Sequence, residues 1–349
     1  IDLFVFSPKI LIFIKISRKT MPIFITGATG FIGNKLANTL AQRGDTIHAL
    51  CRKTSDISTL KHQNIKIFYG DVTNLSEVES AMKGCEYAYH LAAYARSYAK
   101  DNQEYFRINV DGTINVCKSI QTQGVKKAVI TSTIVTFGPT DRESADETII
   151  RDATKFYTVY EHSKYVAEKA IEEFVKTGLP VTIVNPSRIF GPGLMNESNS
   201  VTIMLQMYLR GKMRTILGNG NGLGNYGFVD DVVNGYLLAM EKGRIGEKYI
   251  LGGENVSYNE FFNIINEVSG KKYLIFKIPN QIALAFSKIE ELKAKLFNTY
   301  PLITPDWVRT FALDWAYTNR KAEKELGYEF TPFRDAAKIT IDWLNKNQN

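Results

Sequence analysis

The 349-residue sequence predicts an α/β protein: a doubly wound parallel sheet followed by a smaller, mostly helical C-terminal lobe. Three observations carry this reading. Short apolar runs alternate with amphipathic stretches from Pro22 to about position 190. A glycine-spaced turn at 27–33 joins the first strand to the first helix. The regularity then falls off after Pro192. Strands alternating with helices specify parallel pairing, and right-handed crossovers put helices on both faces of the sheet.

Taken in order, the strands are expected at 23–25, 46–50, 65–68, 87–91, 127–130 and 181–184. Helices are expected at 31–43 (ending at Gly44), 75–83, 105–122 and 157–176. Beyond Pro192, 218–227 reads as a glycine- and asparagine-rich loop, and helices follow at 230–241, 258–268, 280–298 and 334–346. Asp230 and Asp231 open one of these, where capping and pairing with the helix dipole account for them. This gives a dinucleotide domain over 21–190 and a substrate lobe over 191–349, some of whose segments return to the first domain.

The first twenty residues read as an extension outside this fold. Position 1 is Ile, Met21 directly precedes the first strand, and Met21 is expected to be the physiological start. The apolar run at 10–14 is bounded by Lys9 and Lys15 and is far short of the roughly 20 residues a spanning helix needs. No stable membrane insertion is expected.

Composition narrows the partners. A hydrophobic content of 44% suffices for real cores, and the net charge of +7 is scattered rather than striped. Nucleic acid is therefore not expected, whereas a phosphorylated small molecule is. Three cysteines without a CxxC pair exclude a disulfide framework and a zinc site, and point to reduced thiols in the cytoplasm. No metal is expected.

Chemistry begins at Gly27-Ala28-Thr29-Gly30-Phe31-Ile32-Gly33, directly after a strand and opening a helix. The first glycine allows the tight turn, the second the approach of a pyrophosphate, and the third close packing of helix on sheet. The helix N-terminus offers unpaired N–H groups to the phosphates. The domain is thus Rossmann-type, and its ligand a nicotinamide dinucleotide. The second strand ends Ala49-Leu50-Cys51-Arg52-Lys53-Thr54-Ser55, without the acid that would hold a ribose 2′-hydroxyl. Arg52 and Ser55 can hold a 2′-phosphate instead, which favours NADP(H) over NAD(H).

A Tyr-x-x-x-Lys pair sets both side chains on one helix face, where the ammonium lowers the phenol's pKa and lets it exchange a proton as hydride moves. The pair occurs five times: Tyr160/Lys164, Tyr165/Lys169, Tyr208/Lys212, Tyr273/Lys277 and Tyr317/Lys321. The strand ending Thr131-Ser132-Thr133 selects the first, because ligands sit at the carboxyl ends of strands and the hydroxyls of Ser132 and Thr133 should emerge there, just before the helix carrying Tyr160.

The motifs TGATGFIG (26–33), GDVTN (70–74), HLAA (90–93), NVDGTINV (109–116), TSTIVTFG (131–138), YEHSK (160–164), NPSRIFGPG (185–193) and FVDDV (228–232) follow one another in order. Together they resemble the extended short-chain dehydrogenase/reductase (NAD-dependent epimerase/dehydratase) family. Within it, RKTSD (52–56) and YILGGEN (249–255) are most similar to the dihydroflavonol-reductase-like and hopanoid-associated sugar-epimerase-like members. The resemblance implies that Tyr160 is the acid/base, Lys164 holds the nicotinamide ribose, Thr133 orients substrate and Asn109 supports the site. It implies adenine contacts from Asp71 and Val72. Leu91, Ala92 and Ala93 would lie along the cofactor, with Thr131, Ser132, Pro186 and Ser187 near the nicotinamide. Nucleotide-sugar dehydratases of the family carry Asp-Glu after the hydroxyl residue; here Ile134-Val135 follows Thr133, which argues against dehydration.

Three functions remain open at this point: an NADPH-dependent carbonyl reductase or alcohol dehydrogenase, a sugar or nucleotide-sugar epimerase, and a cofactor-sensing protein without catalysis. Tyr94, Tyr98, Phe137, Tyr226 and Phe228 could line an apolar substrate pocket or belong to the core. The helices at 105–122 and 157–176 would suit a homodimer.

Overall fold

The computed structural model describes residues 21–347, so the expectation about residues 1–20 lies outside the described residues. Seven parallel strands form the main sheet in the order β10-β6-β5-β4-β1-β2-β3. They are β1 (Ile23–Thr26), β2 (Ile47–Cys51), β3 (Ile65–Tyr69), β4 (Tyr87–His90), β5 (Lys127–Thr131), β6 (Val181–Pro186) and, returning from far down the chain, β10 (Lys248–Leu251). The order reverses between β1 and β4, where an open α/β sheet leaves a crevice for ligand.

Side chains alternate across the strands. Ile23 and Ile25 face α1 (Phe31–Gln42) and α7 (Val229–Lys242), together with α11 (Arg320–Leu326). Phe24, Ala88, Ile130 and Ile183 face the opposite layer of α2 (Leu75–Met82), α4 (Gly112–Gln123) and α5 (Val159–Lys176). This double burial explains why the strands read as continuous apolar runs.

The predicted helix at 105–122 is three pieces: a four-residue helix α3 (Gln103–Phe106), a π-helical turn over Arg107–Asp111, and α4. The π turn holds Asn109 fully buried; such turns are frequent at functional sites.

The C-terminal half departs further from expectation. The stretch 218–227 is not a loop throughout, because β9 (Leu223–Phe228) lies between β7 (Arg188–Phe190) and β11 (Glu254–Ser257) in a three-stranded sheet. Its glycines answer close packing: a Cβ on Gly224 would lie 2.9 Å from the Arg188 guanidinium, and one on Gly227 2.8 Å from Ile189. The short β8 (Thr215–Leu217) and β12 (Phe276–Ile278) pair in a separate ribbon. Helices α8 (Tyr258–Ser269), α9 (Asn280–Phe297) and α12 (Phe333–Lys346) fall where expected, whereas α6 (Ser200–Leu209), α10 (Pro305–Phe311) and α11 add to the count. The α6 sequence is apolar nearly all round and has no helical period to detect.

Candidate active site

The glycine turn works by proximity. Gly27 has φ +75°, and a Cβ there would lie 2.6 Å from the backbone nitrogen of Ala92. A Cβ on Gly33 would lie 2.2 Å from the Gly27 carbonyl oxygen. The loop is therefore clamped between the end of β4 and the first turn of α1. Gly30 caps that helix without a side-chain hydrogen bond, and no acidic residue stands in its first turn. The first N–H groups of α1 are left for an anion.

A cavity of about 510 Å³ opens at this crevice. Of the residues expected at the cofactor, Gly27, Thr29, Gly30, Arg52, Ser55, Asp71, Val72, Leu91, Ala92 and Ala93 line it. Phe31 and Gly33 are buried in the first turn of α1 beside Ile32 rather than on the cavity wall, Phe31 packing against Gly193. Strand-end logic could also have found Leu50, Cys51 and Gly70. Nothing in the sequence marked Ala95, Arg96, Ile108 or Asn196–Ser198, which also line it. Arg96 approaches Glu197 at 3.7 Å across one end. Of the five candidate aromatics, Tyr94 lines the cavity and Tyr98 packs edge-on to Tyr300, whereas Phe137, Tyr226 and Phe228 are core.

The residues expected to be catalytic, Thr133, Tyr160, Lys164 and Asn109, are not part of this cavity's lining. Tyr160 lies in the first turn of α5, which Thr158 and Glu161 close with a reciprocal capping box. Contrary to the expectation that the ammonium would lower it, loss of water pushes its phenol up to about 12, against the pull of a hydrogen bond with the Thr133 hydroxyl. Lys164, buried one turn on, donates to the Thr131 carbonyl at 2.8 Å. Burial pushes its ammonium down to about 8, resisted by the nearby Glu168 carboxylate. Of the rival pairs, Tyr165 packs against Phe156 with Lys169 exposed and bound to Glu172, and Tyr208 is buried in the α6 core.

Two buried networks hold this geometry. Leu91 and Ala92 N–H groups donate to Thr26 Oγ1, which lies 2.7 Å from His90 Nδ1; His90 Nε2 meets Thr113 Oγ1, which donates to the Asn109 carbonyl. Because Thr26 accepts twice, its own proton goes to His90 Nδ1, leaving Nε2–H as donor. Burial, aided by the Lys164 charge, holds His90 down to about 3, neutral as this chain requires. Asn109 Nδ2 then donates to Ser163 Oγ at 2.9 Å, and Ser163 to the Tyr160 carbonyl at 2.8 Å. The phosphate loop and the helix carrying Tyr160 are thus joined by side-chain hydrogen bonds.

The second network corrects an expectation. The Ser132 hydroxyl turns inward to the carboxylate of buried Glu168 instead of emerging at the nicotinamide. Thr136 and Asn185 donate to the same oxygen at 3.0 Å each, and Lys248 of β10 bonds the other at 2.5 Å. Glu168 thus fastens the turn that carries Thr133 from below. Thr131 is likewise spent inside: its hydroxyl accepts from Tyr236. Ile134, next to Thr133, is 2% exposed and belongs to the core beside Val135, so no carboxylate follows the hydroxyl residue. Asp230 and Asp231 do stand in the first turn of α7 but cap nothing: Asp230 pairs with Lys35, and Asp231 accepts from Thr331. Glu168→Gln should cost about 2 kcal/mol of stability in urea titration, because Ser132, Thr136 and Asn185 lose their shared charged acceptor, while Lys248 keeps the Glu172 carboxylate at 2.7 Å.

The residues fit a nicotinamide dinucleotide. The glycine cradle leaves no room for side chains where backbone must approach phosphate. Near the expected nicotinamide, Ser187 Oγ is buried without a hydrogen-bond partner. The three thiols are buried and raised, Cys51 to about 11. Among the described residues no cluster of side chains could hold a metal ion, and no helix is long and apolar enough to cross a membrane.

Comparison with known proteins agrees with this geometry. Residues 23–252 match the sequence profile of the NAD dependent epimerase/dehydratase family. The chain is 30% identical over 329 residues to a putative dihydroflavonol 4-reductase of Synechocystis sp., covering 93% of this chain and 94% of that protein. It is 29% identical over 332 residues to sterol demethylase protein B of Methylococcus capsulatus, covering 93% and 99%. It superposes on the crystal structure of gox2253 with a TM-score of 0.79 and 32% identity, covering 93% and 98%.

Proposed function

The chain belongs to the NAD-dependent epimerase/dehydratase family of extended short-chain dehydrogenases/reductases, and on that premise we propose that it reduces a carbonyl substrate with NADPH, using Tyr160 as the acid. The observation that carries the reading is Tyr160 set against Thr133 one helical turn from a buried Lys164. NADP(H), when bound, supplies or accepts the hydride. Residues 21–190 would hold it, and 191–349 would shape the substrate side. Thr133 orients the carbonyl oxygen. As the carbonyl carbon gains hydride, Tyr160 gives its phenolic proton to that oxygen, and Lys164 stabilises the phenolate left behind. Asn109, through Ser163, and Glu168, through Ser132 and Thr136, are positioning residues. The reductase named among the relatives favours this over epimerisation. A homodimer through the helices at 105–122 and 157–176 belongs to the same reading, with sedimentation as its check. A panel of carbonyl compounds tests the activity: substrate-dependent consumption of NADPH supports it, and isomerisation without net cofactor turnover contradicts it.

The NADP(H) preference rests on Arg52, exposed on the cavity wall beside Ser55 with no carboxylate at the end of β2. Arg52→Gln should weaken NADPH about 10- to 100-fold in fluorescence titration, the worth of a charge-assisted contact, and leave NADH nearly unchanged.

The reaction should also follow Lys164. Carbonyl reduction needs a protonated phenol and a charged ammonium, so its rate should be level below pH about 8 and fall as pH rises through it. Stability should move the opposite way. Between about 8 and 10.5 the unfolded chain holds the proton that the folded chain has lost, so this lysine's penalty, full below that window, fades as pH rises. A pH–rate profile and urea titrations across the window check both signs.

A further inference from the structure

Helix α9 is inside out. Its buried residues are the small Ala283, Ser287 and Ala294. Its large apolar side chains point to water: Ile282, Phe286, Ile289, Leu292, Leu296 and Phe297 are 45–72% exposed. Ile282, Phe286, Ile289 and Leu296 recur at i, i+4, i+7 and i+14, one continuous stripe at 3.6 residues per turn. The concentration extends beyond the helix. Of the eighteen large hydrophobic side chains exposed among the described residues, ten fall within 271–302, which includes β12 before the helix and Tyr300 after it. An apolar face of this extent marks an interaction surface rather than ordinary surface scatter.

Charge says what covers it. The same 271–302 segment holds six lysines against two glutamates, a net +4 out of the chain's +7. Both glutamates are already occupied on the helix: Glu290 bonds Lys293 and Glu291 bonds Lys295. Lys271, Lys272, Lys277 and Lys288 have no carboxylate within ion-pair distance among the described residues. A second copy of this chain would bring the same positive surface against itself. An anionic bilayer brings the opposite charge and an apolar interior for the stripe, the combination an amphipathic helix lying in a membrane interface uses. Lys293, which falls inside the stripe, can carry its ammonium to the headgroups on a flexible stem.

We propose that α9 and its flanks form a docking face for an anionic phospholipid bilayer, with the apolar stripe sunk to the acyl boundary and the free lysines on the headgroups. No helix among the described residues is long and apolar enough to span the bilayer, and this face would lie on the membrane rather than across it. The face adjoins the active-site mouth: Lys100 donates to the Asn298 carbonyl at 3.2 Å and Tyr98 packs on Tyr300, a few residues from the cavity-lining Ala93–Arg96. A docked molecule would therefore open its site near the lipid.

Flotation of the full chain with vesicles tests this without reference to turnover. Binding to phosphatidylcholine–phosphatidylserine vesicles is expected, and should weaken at least about tenfold on phosphatidylcholine alone or in high salt. The pair Phe286→Glu and Ile289→Glu should abolish it, and Lys272→Glu with Lys288→Glu should weaken it about tenfold, while thermal midpoint and NADPH affinity stay at their original values. Three results would overturn the proposal: no vesicle binding by the original chain, binding that the α9 variants leave intact, or a dimer that the Phe286→Glu variant dissociates.

Discussion

Tyr160→Phe should leave a folded protein that binds NADPH at its original affinity but reduces carbonyl substrates about 10²–10⁴-fold more slowly, the worth of a placed general acid. The reasoning is local. Removing one oxygen changes neither the capping box at Thr158 nor the Asn109–Ser163 link, since that link ends on the Tyr160 backbone carbonyl. Only the proton donor is lost. Thr133 keeps its bond from the Val135 N–H at 3.4 Å, so the turn beneath it is not released. Steady-state kinetics should place the loss in kcat. A matched Tyr165→Phe change, on the same helix but packed against Phe156, should leave kcat within about twofold, because a tyrosine away from the reacting carbon has no proton to give it.

Gly27→Ala is expected to be among the most damaging small substitutions in the described residues. At φ +75° alanine is strained, and its Cβ would stand 2.6 Å from both the Ala92 nitrogen and the Leu91 carbonyl carbon. Those are backbone atoms of the β4 end and cannot swing aside, so the loop must lift off the sheet. A cost of about 2–4 kcal/mol in urea titration is expected, with NADPH affinity reduced about 100-fold or more because the α1 N-terminus no longer faces the phosphates. Gly44 is the control. It also has positive φ, at +97°, but a Cβ there would meet nothing within 4 Å, so Gly44→Ala should cost only about 1 kcal/mol and spare the cofactor.

The first half of the fold was legible because its strands, the edge strand β3 excepted, are buried on both faces and its helices on one, which writes apolar runs and helical periods into the sequence. The glycine loop, the Arg52 turn and the Tyr160/Lys164 pair were legible for the same reason: each is fixed by its neighbours in sequence. The supports were not. Glu168 reads as one more helix acid until β5, α5 and β10 bring Ser132, Thr136, Asn185 and Lys248 to its two oxygens. The inward turn of Ser132 follows from that carboxylate, which no local pattern announces. Strand β9 hid behind Gly224 and Gly227, whose missing side chains make room for Arg188 and Ile189 across the sheet. The far cavity wall at Asn196–Ser198 comes from a segment with neither period nor motif.

The central claim is that hydride passes between NADP(H) and a carbonyl carbon at the site formed by Gly27–Gly33, Thr133, Tyr160 and Lys164. Its most direct test is isotopic: turnover of a reduced carbonyl substrate with NADPH deuterated at the transferring position of the nicotinamide, with the product read by mass spectrometry. The expected result is one deuterium on the former carbonyl carbon of the alcohol, with one NADP⁺ formed per product and almost none from Tyr160→Phe. A product without deuterium, or product formed with no NADP⁺, would contradict the account.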